Sequence, residues 1–267
     1  LNKKSEVIHS REPQRVRNEL CFRRIKIANK TRVAEHFWRI QFTGPDLKGF
    51  NSPGFDDHIK LFFPDPKSGA LNLPDVTAEG VVWQAGVRPL ARDYTPLEFD
   101  GENQLTLDFY IHQGGMASDW AEQARPGHEL VIGGPRGSLI VPADYRFQLY
   151  VCDETGLPAF RRRRPAINAE HLHLFAYADE ATGRGYLDDL NGVNVNWLGS
   201  GMMQIDNLGM LIGALDRISL PADDYFIWLT GEGETVNMLS DYFTQRRGCD
   251  GAFVRAVAYW HHKKIHD

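Results

Sequence analysis

"FQLYVCDETGLPAF", residues 147–160, decides how the chain is read. Six residues, Phe147 to Cys152, form a compact and almost wholly apolar run. The run ends in the acid-and-hydroxyl group Asp153, Glu154 and Thr155, and Pro158 then opens a helical segment. A short apolar run of this kind is a strand buried on both faces, and proline is tolerated in the first turn of the following helix. Asp153 to Thr155 also suit a helix cap. Before residue 145 the texture is different: short alternating segments are separated by turn signals.

The same strand-then-helix rhythm continues to the end. "HLHLFAYADE", "VNVNWLG", "YFIWLTGE" and "FVRAVAYW" read as strands, while "NLGMLIGALDRI" and "TVNMLSDYFTQRRG" carry apolar residues at helical spacing. This predicts a parallel sheet with crossover helices, with ligands beyond the strands' carboxyl ends. Those ends carry "CDETG", "YADEATG", "GSGMM", "TGEGE" and "YWHHKK". Upstream, "LCFRRIKIANK" and "EHFWRIQFTG" read as strands joined around Asn29-Lys30, followed by "DHIKLFFP", "DYTPLEFD", "QLTLDFYIHQ" and "HELVIGG". With one helix candidate, "MASDWAEQA", they predict a small antiparallel barrel. The expected fold class is therefore β + α/β, a Greek-key-type barrel over residues 1–143 followed by a parallel α/β domain over 144–267. Residues 1–19 are expected to be a flexible arm.

Composition narrows the function classes. The chain has 267 residues, 42% hydrophobic and 24% charged, as in an ordinary globular protein. A net charge of -5 argues against general nucleic-acid binding, which needs a basic excess. Cys21, Cys152 and Cys249 are widely spaced and odd in number, which fits a reducing cytoplasm rather than a disulfide framework. The sequence holds no run of about 18 apolar residues, so membrane insertion is not expected, and the first residues are too polar for a secretory signal.

The chemistry concentrates in two stretches. Arg92, Tyr94 and Thr95 place a cation, a flat ring and a hydroxyl at i, i+2 and i+3, although a plain strand with a surface arginine accounts for them too. One strand later, "DFYIHQGGMASDWAEQARPGHELVIGGPRGS" ends a strand at His112 and turns through two glycines. Ser118 is placed to cap a helix starting near Asp119. Free N–H groups at such a helix start favour a phosphate, so a pyrophosphate fits between Arg92 and the Gly115–Ser118 turn. Two surface loops with a capped helix are the plainer alternative.

Arg92-x-Tyr94-Thr95 resembles the flavin signature of the ferredoxin reductase superfamily. Residues 108–138, "CDETGLPA", "WLTGEGE" and the terminal "AYW" resemble, in order and spacing, the siderophore-interacting proteins, over most of residues 20–261. These are FAD-dependent ferric-siderophore reductases with a flavin barrel and an NAD(P)H-type domain. The resemblance implies that Arg92 meets the FAD phosphates, Tyr94 packs on the flavin and Thr95 bonds near its reactive nitrogen. It further implies that His112, Gly115, Met116, Ala117 and Ser118 complete the site, with Asp153, Thr155 and Trp260 where a nicotinamide meets the flavin. The α/β domain has no Gly-x-Gly-x-x-Gly, so NAD(P)H and reduced ferredoxin both stand as donors.

The implied substrate is a ferric siderophore, and an anionic iron chelate needs fixed cations. Lys60 and Arg136 match two basic positions of the family. The family's third position, an arginine after the terminal Tyr-Trp, is His261 here, with Lys263 close behind. That departure suggests chelate binding that strengthens as imidazoles gain protons. The run "FRRRRP" reads as a solvated helix end, or as a site for a 2′-phosphate or a partner's acidic face. His171 and His173 share a strand face, without a third ligand nearby. The whole reads as a cytoplasmic, monomeric flavoprotein reductase with no catalytic acid, base or nucleophile and no resident metal, since the cofactor carries the chemistry. A non-catalytic iron-chelate carrier and a general NAD(P)H:flavin or quinone reductase are the alternatives.

Overall fold

The computed structural model describes residues 11–83 and 89–262. Arg88 and Lys263 lie outside the described residues. Two compact units are present: Arg15–Ile140, and the chain from Val141 onward together with the segment before Arg15.

In the first unit, seven strands form one antiparallel sheet in the order β7-β4-β10-β2-β3-β9-β8. The ranges are β2 Phe22–Ala34, β3 Phe37–Thr43, β4 Ile59–Phe62, β7 Ala91–Tyr94, β8 Glu98–Phe99, β9 Gln104–Tyr110 and β10 Glu129–Gly133. The edge strands β7 and β8 are joined by residues 95–97 alone. So short a link spans at most about 14 Å when fully extended, so the two edges must meet and the sheet curls into a barrel. "DYTPLEFD", expected as one strand, is broken at Thr95-Pro96 because the seam of the barrel falls there.

Alternate residues fill the interior. Ile25, Ile27, Ile40, Phe42, Ile59, Leu61, Leu105, Leu107, Phe109, Leu130 and Ile132 form one buried cluster, each side chain contributing about 1.5–3 kcal/mol. The opposite face of β9 is closed as well: Asp108 is buried and takes a two-pronged pair from Arg39, 2.9 Å at each oxygen.

Three more features of this unit depart from the sequence reading. The hairpin turn lies at Glu35-His36, not Asn29-Lys30, because β2 stays paired with β3 as far as Ala34. The helix α1, Met116–Gln123, starts three residues earlier than expected. The described part of the expected arm carries β1, Gln14–Arg17, paired with β11, Gly137–Ile140.

In the second unit, five parallel strands lie in the order β14-β13-β12-β15-β16. They are β12 Phe147–Asp153, β13 His171–Tyr177, β14 Val193–Trp197, β15 Tyr225–Glu232 and β16 Val254–Trp260. Because β12 is flanked on both edges and covered on both faces, it is buried at every position, which explains its unbroken apolar run. Helices α4, Leu208–Leu215, and α5, Gly233–Asp241, pack on the face of Leu149 and Val151. Helix α2, Leu157–Arg163, covers the other face, with Phe160 5.2 Å from Tyr150 between ring centres. The chain moves outward from β12 through β13 to β14, then returns to the other side for β15 and β16. The switch point, where such sheets bind ligands, thus lies between the ends of β12 and β15.

Three of the four arginines in the basic run are tied down by the chain itself rather than solvated or waiting for an anion. Arg163 is buried and donates to the carbonyls of Val141 (2.9 Å) and Pro142 (2.6 Å). Arg161 is held by the Tyr186 carbonyl and Asp188, and Arg164 by the Asp189 and Asn191 carbonyls. These arginines tie the end of α2 to the loops beneath the sheet. Among the described residues no helix is long and apolar enough to cross a membrane.

Candidate functional site

The barrel seam assembles the first group. Arg92 is exposed; its guanidinium bonds the carbonyl of Ala91 (2.7 Å), and no carboxylate faces it among the described residues. Tyr94 is half-buried with its ring 4.5 Å from Phe109, and burial pushes its phenol well up, against a smaller pull from Arg92. Thr95 is buried at the strand end.

Phe109 also lies 6.0 Å from Trp120 of α1, so the seam and the helix share one wall. The His112 imidazole lies against Gly115, where a Cβ would stand 2.5 Å from Cε1; only glycine admits that approach. Ser118 does not cap the helix. Its Oγ accepts from the His112 N–H (3.1 Å) and donates to the Tyr110 carbonyl (3.3 Å), pinning the turn to the end of β9. That leaves the first N–H groups of α1, around Met116 and Ala117, without intrahelical acceptors. An exposed arginine that meets no carboxylate among the described residues and a row of helix-start donors suit the pyrophosphate of FAD, and the half-buried Tyr94 offers a ring for a flat group to pack on.

Lys60 projects from β4 on the face opposite Ile59 and Leu61. It stands opposite Asp93 on one neighbouring strand and Gly133 on the other, three residues before Arg136. Its ammonium donates to Asp93 at 2.8 Å, a pairing that no motif announced. Arg136 is exposed, and its side chain meets no carboxylate among the described residues.

The second group belongs to the α/β unit and gathers at the switch point. Asp153 is buried and accepts from the Thr155 N–H (2.9 Å), Thr155 Oγ1 (2.5 Å) and Trp260 Nε1 (2.5 Å). Burial raises its carboxyl above the usual range, and these hydrogen bonds partly oppose that. Trp260 is thereby fixed at the end of β16, with the His262 ring edge-on to it at 4.8 Å. The His261 imidazole lies against Gly233 at the head of α5. Glu232 caps that helix, accepting from the N–H groups of Glu234 (3.1 Å) and Thr235 (2.8 Å). His171 and His173 have no third metal-binding side chain beside them among the described residues.

An antiparallel barrel with an Arg-x-Tyr-Thr seam, followed in the chain by a five-stranded parallel sheet, is the ferredoxin reductase-like fold of flavin-dependent reductases. Residues 26–139 match the family model described as siderophore-interacting FAD-binding domain, and residues 145–263 match that of siderophore-interacting protein. The chain belongs to the siderophore-interacting protein family. It is 48% identical to the NADPH-dependent ferric-chelate reductase of Escherichia coli, over 95% of this chain and 98% of that one. It is 27% identical to the ferric vibriobactin reductase ViuB of Vibrio cholerae, over 89% of each chain. The crystal structure of a siderophore utilization protein from T. fusca superposes with a TM-score of 0.82 at 28% identity, covering 94% of this chain and 97% of that one.

Proposed function

We propose that this chain is an FAD-dependent ferric-siderophore reductase that takes electrons from NADPH and frees iron as Fe(II) in the cytoplasm, acting as a monomer. The observation that carries the reading is the barrel seam, where an arginine that meets no carboxylate among the described residues precedes a ring and a hydroxyl, and where Tyr94 packs on Phe109, which also touches the helix with free N–H donors. FAD, when bound, converts a two-electron hydride donor into the one-electron steps that Fe(III) requires. The residues of the chain supply position and field. Arg92 and the first turn of α1 hold the phosphates, while Tyr94 and Thr95 orient the ring system. Asp153 anchors Trp260 at the mouth where the donor arrives. Lys60 and Arg136 attract an anionic chelate, and Fe(II), with less charge, is held more weakly by oxygen ligands. The three cysteines are free thiols, as a reducing compartment keeps them.

The test is an anaerobic titration of purified protein. NADPH is expected to bleach the flavin band, and a ferric catecholate to restore it while a colour reagent traps Fe(II). A flavin reoxidised by quinone but untouched by ferric chelates would make the chain a general reductase. A colourless protein that binds the chelate would make it a carrier.

The Lys60–Asp93 pair gives a second check. Lys60→Ala and Arg136→Ala are each expected to raise the KM for ferric catecholate with flavin content unchanged. Asp93→Asn, which releases Lys60 from its partner, is expected to lower it by about two- to fivefold, the scale of an exposed ion pair. Steady-state kinetics at two salt concentrations would read all three, and the same KM in every variant would remove these cations from the substrate site.

A further inference from the structure

An acceptor of NADPH must answer the 2′-phosphate, and the carboxyl end of the parallel sheet is poor in cations. Asp153, Glu154, Asp179, Glu232 and Glu234 all stand at the strand ends or in the turns that leave them. The arginines of α2 stand in its last turn, where Arg161 and Arg163 are tied to backbone carbonyls. The segment from Leu198 to Leu215, including all of α4, has no lysine or arginine, and neither has α5. The imidazoles of His261 and His262 lie past β16, at the edge opposite β14. Among the described residues, one strong cation is left on the β13–β14 side.

That cation is Arg184, in helix α3, Glu180–Tyr186, which follows β13. Side chains on a helix lean toward its amino end, and Arg184 does so: Nε donates to Glu180 Oε1, one turn back, at 2.7 Å. Its guanidinium therefore sits by the first turn of α3, close to the end of the sheet. It also lies over the indole of Trp197, 6.0 Å from the ring centre, and Trp197 is the last residue of β14. The indole in turn rests on Gly183, where a Cβ would come within 2.2 Å of two ring carbons. Gly183, Trp197 and Arg184 thus form a stack that holds a planar donor fork at the strand end. Its carboxylate partner among the described residues, Glu180, is itself exposed, so that pair is weak and exchangeable.

We propose that Arg184, steadied by Trp197, binds the 2′-phosphate of NADPH in place of Glu180 and sets the preference for NADPH over NADH. The proposal rests on the reductase reading above. A phosphate offers the guanidinium two parallel hydrogen bonds and more charge than a carboxylate. Trp197 keeps the fork from collapsing onto the helix. Glu180 holds the arginine in place when no nucleotide is bound.

The test uses the FAD-loaded full chain and isothermal titration with adenosine 2′,5′-bisphosphate and with 5′-AMP, which lacks the 2′-phosphate. Wild type is expected to prefer the bisphosphate. Arg184→Ala should weaken the bisphosphate by about 10- to 100-fold and leave 5′-AMP unchanged, the effect of losing charged hydrogen bonds. Arg184→Lys should recover only part, having a point charge without the fork. Glu180→Gln should tighten the bisphosphate by about two- to fivefold. Equal affinities for the two probes in wild type, or an unchanged ratio in Arg184→Ala, would overturn the assignment. The reductase reading stands or falls separately, because dithionite-reduced protein can be mixed with a ferric chelate in the absence of any nucleotide.

Discussion

Arg92→Ala is expected to fold as wild type does and to come off the column almost colourless. Among the described residues the guanidinium is exposed and hydrogen-bonds the carbonyl of its neighbour Ala91 alone, so the described barrel loses no buried contact. Its value lies in the charge offered to the cofactor's phosphates. Losing a charge-assisted, two-pronged contact costs about 1.5–3 kcal/mol, which corresponds to roughly a 10- to 150-fold rise in the dissociation constant for FAD. Riboflavin carries the ring system without the phosphates, so its affinity should not change between the two proteins. Fluorescence titration with FAD and riboflavin, beside a thermal melt, reads the three quantities. An equal loss for both ligands would move Arg92 from the phosphates to the ring. Full flavin content would take it out of the site.

How much of this was legible beforehand depends on how local the cause is. The alternation in "QLTLDFYI" and the apolar run of β12 are local, and both elements lie where the sequence places them. The hairpin turn was misplaced because Asn29-Lys30 has the composition of a turn, while Glu35-His36 does not. Cross-strand pairing overrode the local signal, and Lys30 was recruited to hold the Glu122 and Ala124 carbonyls at the end of α1, at 2.8 and 3.2 Å. Ser118 has the right chemistry for a cap, yet its hydroxyl is used by Tyr110 and His112, a contact across a turn that spacing does not encode.

Arg161, Arg163 and Arg164 illustrate the same limit. Their charge was visible, but their partners come from β14's approach loop and the Val141–Pro142 segment, more than twenty residues away. The Lys60–Asp93 pair depends on the register of β4 against β7. Short edge strands with no pattern of their own, β1 and β11 and the hairpin of β5 (Asp75–Thr77) and β6 (Gly80–Val82), left no signal. The trio at the seam was readable as residues. Why it stands there was not, since that requires knowing that the sheet closes between Tyr94 and Glu98.

Gly156→Ala is expected to damage the α/β unit while sparing the flavin. Gly156 follows the Asp153–Thr155 turn at the switch point, and a Cβ there would stand 2.6 Å from Cys152 Cβ and 2.7 Å from Thr230 Cγ2. Both atoms sit on the central strands β12 and β15, one bond or two from the backbone, so neither can swing aside. Relief requires the turn to shift, which loosens the Asp153 hydrogen bonds to Thr155 and through them the anchor of Trp260. Overpacking of this kind costs about 1–3 kcal/mol, or roughly 3–15 °C in the melting temperature of a unit this size. The rate at which NADPH bleaches the flavin should fall along with it. FAD content should hold, because every proposed phosphate and ring contact belongs to the Arg15–Ile140 unit. Gly185→Ala is the matched control: no atom lies within 4 Å of its Cβ position, within the same parallel unit. Replacing a helical glycine there should be neutral or stabilise by about 0.5–1 kcal/mol. If Gly156→Ala melts and bleaches as Gly185→Ala does, the turn after β12 has room to spare, and the donor crevice must be sought elsewhere along the sheet.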